Sequence, residues 1–271
     1  MRKTPVTFLA VATAAVVLSA QAPGLAQGEP APADVAVPPA DAVVGTSGLS
    51  SKVLSPGSGE QRPTADNFVS VHYTGWTADG VLVDSSRNRT TPPLFPLSRS
   101  LAGWQECVQL MTVGENRRCW LPQVLAYNGR DGHPTGMIVF DIELLDIRTS
   151  PKVPPPDVAA APDDAVRTAS GVAYRVLKPG TGTRRPTQLD RVIVHYTGWT
   201  TNGRMFDSSV LAGAAQTLAL SEVIAGWTEG MQLMVEGERT RFWIPEELAY
   251  DGQVGSPAGM LVFDVDLLGI E

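Results

Sequence analysis

Three histidines, His72, His133 and His195, and two cysteines, Cys107 and Cys119, are the side chains of this 271-residue chain best suited to metal, nucleophilic or proton-transfer chemistry. His72 and His195 each open the pentapeptide HYTGW, which occurs twice. A zinc site built on one element needs histidines or carboxylates at i, i+4 spacing, and neither copy has them. No G-x-S-x-G elbow supports Ser-His-Asp chemistry. Both histidines are therefore expected to be strand residues hydrogen-bonded to near neighbours. Cys107 and Cys119 fit neither a zinc knuckle nor a C-x-x-C redox motif. Their counterparts in the second copy are Gly230 and Phe242. Cysteines present together in one copy and absent together from the other read as a disulfide in an oxidising compartment or as two buried thiols. A bridge over so short a loop would add about 2–3 kcal/mol.

What remains is aromatic. Tyr196, Phe206, Trp227, Tyr250 and Phe263 lie on strands or at element ends, with Val223 and Ile224 where a helix should begin. Taken alone, such residues are as readily core as site.

The elements that must hold them are written twice. Sliding the chain by 123 places 49 of the 100 residues from Gly48 to Ile147 on identical partners without a gap, which is an internal duplication. VSVHYTGW and VIVHYTGW alternate apolar and polar side chains and end at the glycine turns ADG and TNG, so each is a strand. MIVFDIELLDI and MLVFDVDLLGI alternate likewise and should pair centrally in a sheet. LAGWQECVQLM and VIAGWTEGMQLM carry apolar residues at helical spacing and supply the one short helix that could cover that sheet.

Arg2 and Lys3, the apolar run Val6 to Ala20 and small residues at Gly24 and Ala26 read as a signal peptide over residues 1–26, cleaved after Ala26. With no cysteine before Cys107, lipid modification of a new N-terminal cysteine is not expected. Nor is a membrane span, since the run falls short of roughly 20 apolar residues. Removal of the signal leaves 19 basic against 28 acidic side chains, a charge of −9 that argues against nucleic-acid binding. Pro/Ala-rich stretches at residues 27–44 and 149–165 read as linkers, placing domains at 45–148 and 166–271.

In order and spacing, VHYTGW, FDSS, EVIAGWTEGM, IPEELAY and LVFDVDLL of the second copy resemble the FKBP-type peptidyl-prolyl cis-trans isomerases. The first copy is similar through VHYTGW, VDSS, LAGWQECVQLM, AYNGRDGHP and IVFDIELL. The resemblance implies an α+β fold, with five or six antiparallel strands wrapped around one short helix and a shallow apolar pocket between them. It implies an exported isomerase acting on proline-containing unfolded or partly folded polypeptides, without metal or cofactor, and weak binding of macrolide immunosuppressants. Trp227 would floor the second pocket, with Tyr196, Phe206 and Phe263 as walls and Val223 and Ile224 at the rim. The Ile224 N–H would bond a substrate carbonyl, while Asp207 and the Tyr250 hydroxyl would face the twisting amide. The substrate-binding positions of the first copy are Tyr73, Asp84, Leu101, Trp104, Tyr127 and Phe140. There Val83 and Ser100 replace a wall phenylalanine and a rim valine, so a larger, wetter pocket is expected. Arg89 stands where the family partners the pocket aspartate; Ala212 leaves Asp207 without that cation. The loops GHPTGM and GSPAGM lack the Ile-Pro-Pro tip of many relatives, and His133 within the first is assigned a minor role. The second copy is accordingly expected to be the more active. The competing reading is a non-catalytic chaperone module that holds unfolded chains in the same pockets.

Overall fold

The computed structural model describes residues 29–89 and 91–271, so the expected signal peptide lies outside the described residues. The chain divides between Val153 and Pro154 into two compact units. The first contains β1 (Val43–Val44), β2 (Ser50–Ser55), β3 (Phe68–Thr77), β4 (Leu82–Ser85), β5 (Leu94–Pro96), α1 (Ala102–Gln109), β6 (Asn116–Leu121) and β7 (Ile138–Arg148). The second repeats them as β8 (Val166–Arg167), β9 (Ala173–Lys178), β10 (Arg191–Thr200), β11 (Met205–Ser208), β12 (Gln216–Ala219), α3 (Ala225–Met231), β13 (Arg239–Ile244) and β14 (Leu261–Ile270). Between β11 and β12 it adds the single turn α2 (Ser209–Ala212).

Both sheets are antiparallel throughout. The first runs β1-β2-β6-β7-β3-β4 with β5 on β3, and the second β8-β9-β13-β14-β10-β11 with β12 on β10. Seven strands per sheet exceed the expected five or six, because two-residue edge ladders such as Val43–Val44 on β2 add to the count. The closing strands β7 and β14 are central, as their uninterrupted apolar alternation requires.

Period-two alternation decides what each face buries. Val69, Val71 and Tyr73 of β3, Cys119 and Leu121 of β6, and Ile138, Phe140, Ile142 and Leu144 of β7 point to one face and close on Trp104, Cys107 and Val108 of α1. In the second unit, Val192 and Val194, Phe242 and Ile244, and Leu261, Phe263, Val265 and Leu267 close on Trp227 and Met231 of α3.

The residues of opposite parity are also apolar and need a cover. Trp76, Trp120 and Val139 form a second cluster under Val35, and Trp199, Trp243 and Val262 form its counterpart under Val158 and Ala165. The segments expected as linkers thus lie packed on the outer faces. Each makes the same turns, Val35 N–H to Pro32 O and Val158 N–H to Pro155 O, both 3.1 Å. Asp34 and Asp157 fasten them. Trp120 Nε1 donates to Asp34 O and Trp243 Nε1 to Asp157 O, each at 2.9 Å. Arg118 and Arg241 bridge those aspartates to Asp141 and Asp264 of the central strands. The 123-residue repeat continues through these arms, with Asp34-Val35-Ala36 matching Asp157-Val158-Ala159.

Cys107 and Cys119 are joined in a disulfide that ties α1 to β6. In the second unit Phe242 fills that place, and a Cβ on Gly230 would lie 2.7 Å from its ring. One copy bridges covalently a gap that the other fills with an aromatic ring.

Candidate active site

The inner face of the second sheet and the start of α3 bring the expected residues together. Tyr196 comes from β10, Phe206 and Asp207 from β11, Trp227 from α3 and Phe263 from β14. Val223 and Ile224 lead into α3, and Tyr250 follows the 3-10 turn Glu246–Leu248. Three edge-to-face contacts connect the rings: Tyr196 to Trp227 at 5.3 Å, Trp227 to Phe263 at 5.5 Å and Phe263 to Phe206 at 5.5 Å. Trp227 and Phe263 are only 6% and 4% exposed, whereas Tyr196, Phe206, Val223, Ile224 and Tyr250 are half-buried. A buried aromatic base is thus ringed by partly uncovered apolar side chains. The glycine of HYTGW makes room for them, since a Cβ on Gly198 would lie 2.6 Å from Phe206 Cζ and 2.7 Å from Phe263 Cε1.

Polar groups are few and fixed. The Tyr196 hydroxyl donates to Asp207 Oδ2 at 2.5 Å. Ser209, the last residue of FDSS, accepts the Tyr196 N–H at 2.8 Å and meets His195 Nδ1 at 3.2 Å. That accounts for the strand histidine as expected, and His72 with Ser86 repeats the arrangement. The Ile224 N–H, at the orphan-donor end of α3, has no acceptor among the described residues. Nor does the Tyr250 hydroxyl. Burial, and then the Asp207 carboxylate, holds the Tyr196 and Tyr250 phenols above their ordinary range, so both remain donors.

The first unit places Tyr73, Asp84, Leu101, Trp104, Tyr127 and Phe140 equivalently. Tyr73 and Phe140 present ring edges to Trp104 at 5.2 and 5.4 Å, and the Tyr73 hydroxyl donates to Asp84 Oδ2 at 2.5 Å. The aspartate is ion-paired here: Arg89 Nη2 lies 3.1 Å from Asp84 Oδ2 and also donates to the Tyr73 hydroxyl at 3.2 Å. Among the described residues no cation meets Asp207.

Val83 and Ser100 lead to the expectation of a larger, wetter first pocket, yet the tyrosines there are the better covered pair. Tyr73 is 5% and Tyr127 7% exposed, less than their half-buried counterparts Tyr196 and Tyr250. The Arg89 guanidinium lies 5.8 Å over the Tyr73 ring, and His133 stacks on Tyr127 at 4.6 Å. Ser100 turns its hydroxyl back to Leu97 O at 2.7 Å. Phe95 from β5, which no motif marked, packs 5.9 Å from Trp104 where the sister domain has Leu218.

Residues 59–145 and 182–268, more than half of the chain, match the FKBP-type peptidyl-prolyl cis-trans isomerase family. The chain belongs to this family. Each unit is an FKBP domain, and α+β is its fold class. The FKBP-type isomerase FkpA of Aeromonas hydrophila is 52% identical over 108 residues, covering 38% of this chain and 40% of that protein. Outer membrane protein MIP of Legionella longbeachae is 40% identical over 106 residues, covering 38% and 45%. The solved FkpA from Escherichia coli shares 36% identity over 41% of this chain and 53% of that one, with a TM-score of 0.38. The chain thus spans about half or less of the length of these FKBP relatives.

Proposed function

We propose that this FKBP-type chain is an exported peptidyl-prolyl cis-trans isomerase for unfolded or partly folded polypeptides, with the second domain the more active. The observation that carries this reading is the half-open aromatic ring around Trp227, with Asp207, Tyr250 and the Ile224 N–H at its edge. Rotation about a prolyl amide meets a barrier of about 18–20 kcal/mol because resonance gives the C–N bond double-bond character. Resonance separates charge, and water stabilises the planar amide. An apolar hollow withdraws that support and suits the less polar twisted state, while fixed donors hold its carbonyl. Trp227, Phe206, Phe263 and Tyr196 would enclose the ring, Val223 would contact it at the rim, and the Ile224 N–H would bind a carbonyl. Asp207 and Tyr250 would face the rotating bond. In the first domain Arg89 and His133 cap the corresponding rings, which supports a weaker or substrate-holding role there.

Export is supported by the basic and apolar N-terminal sequence and by the buried disulfide, which oxidising compartments favour. The shortened loops ahead of β7 and β14 favour weak macrolide binding. The test is NMR exchange between cis and trans signals of a proline peptide with the full chain. Phe206→Val or Asp207→Ala should remove most of the exchange with circular dichroism unchanged, whereas Asp84→Ala should remove little. Unchanged exchange in the Phe206 and Asp207 variants would refute the assignment. If those variants lose exchange but still suppress aggregation of an unfolded protein, holding is a separate activity of the same pockets.

A further inference from the structure

The two pockets share their aromatic plan but not their charge. Three segments and one aspartate frame each: the stretch after Asp84 or Asp207, the approach to α1 or α3, and the loop leading to β7 or β14. Around the first pocket these carry Arg89, Arg99 and Arg130 against Asp84 and Asp131, Arg87 being held on the opposite face of the sheet by Glu143 and Glu29; around the second they carry Asp207, Glu222, Glu246, Glu247 and Asp251 and no cation. Position by position, Arg89 becomes Ala212, Arg99 becomes Glu222 and Arg130 becomes Gln253. In the first domain Arg87 is engaged by Glu143 and Glu29, and Arg89 by Asp84, leaving Arg99 and Arg130 exposed and unpaired among the described residues. In the second, none of the five carboxylates meets a cation among the described residues, and Glu222, Glu247 and Asp251 are exposed.

Resting on the isomerase reading above, we infer that the rims sort clients by charge. The second domain takes prolines flanked by lysine or arginine, and the first takes prolines flanked by acidic residues. A rim of one sign beside an apolar hollow raises the local concentration of oppositely charged chain and disfavours the like-charged one. Because the carboxylates are exposed, the preference is modest and salt-sensitive, about fivefold at low ionic strength.

The test uses the full chain, labelled so that the indoles of Trp104 and Trp227 are resolved by NMR. It is titrated with three peptides that differ only in having lysine, leucine or glutamate on both sides of one proline. The lysine peptide should shift the Trp227 indole at about one fifth of the concentration the glutamate peptide needs, with the order reversed at Trp104. Both differences should shrink in about 0.5 M salt. Neutralising Glu222→Gln, Glu247→Gln and Asp251→Asn together should abolish the preference at Trp227 while leaving exchange of the leucine peptide unchanged. If the lysine and glutamate peptides act alike at Trp227, or the preference survives this triple variant, the inference is overturned. If the leucine peptide neither shifts Trp227 nor exchanges, the isomerase reading itself fails.

Discussion

Replacing Gly198 by alanine would drive a methyl group into two pocket rings at once, Phe206 and Phe263. Overpacking of this kind costs about 1–3 kcal/mol, so the second domain should melt lower and exchange proline peptides more slowly, read by calorimetry and NMR. Phe206→Val copies Val83 of the first domain and should slow the exchange about tenfold, equivalent to about 1.4 kcal/mol of barrier. Alkali tests the tyrosines. Burial first, and then Asp84 or Asp207, holds Tyr73, Tyr127, Tyr196 and Tyr250 above the usual phenol range. An unfolded chain releases such protons near pH 10. The stability they contribute is therefore complete below about pH 10 and is lost as pH rises through the folded values. Melting temperature should be flat from about pH 8 to 9.5 and fall above about pH 10, with tyrosinate absorbance rising together with unfolding rather than before it. In the second domain Tyr196, Phe206, Tyr250 and Phe263 pack in one cluster with Trp227, and in the first Tyr73 and Phe140 meet Trp104. Phe95 escaped because no motif marks β5, and the stacking of His133 on Tyr127 depends on a loop conformation that neither periodicity nor a motif reports.

The helices, strands and arms differ in how plainly they could be read. Alternation located β3, β7, β10 and β14, because a strand between two packed faces must repeat every second residue. The arms read as linkers for a physical reason: a Pro/Ala-rich segment cannot build a core, yet it can cover one that already exists. The signal was present in Trp76, Trp120, Trp199 and Trp243, large apolar residues on the parity that a solvent-facing sheet would give to polar ones. Asp157→Ala would leave Arg241, whose side chain is 10% exposed, with one carboxylate in place of two. It should lower the second domain's stability by about 1–3 kcal/mol in a denaturant titration. Reducing Cys107–Cys119 should cost the first domain about 2–3 kcal/mol and leave the second unmoved, seen as a shift of one calorimetric transition.

For the whole chain, the arms place the start of each half before its first strand. A protein beginning at Val166 would leave Trp199, Trp243 and Val262 without Val158, and should bind a hydrophobic dye and melt about 10 °C or more below one beginning at Lys152. The duplication was legible because both halves keep the same spacing; what each half does alone was not, since charge and capping changed while the spacing stayed. The paired exchange of Cys107 and Cys119 for Gly230 and Phe242 bears on how these halves diverge. Recombination between them with a crossover inside that 12-residue interval would set cysteine against phenylalanine in one product and glycine against cysteine in the other. The first is overcrowded and the second hollow. Neither half can borrow that part of its sibling piecemeal, so gene conversion there should be purged and the two copies driven to drift apart.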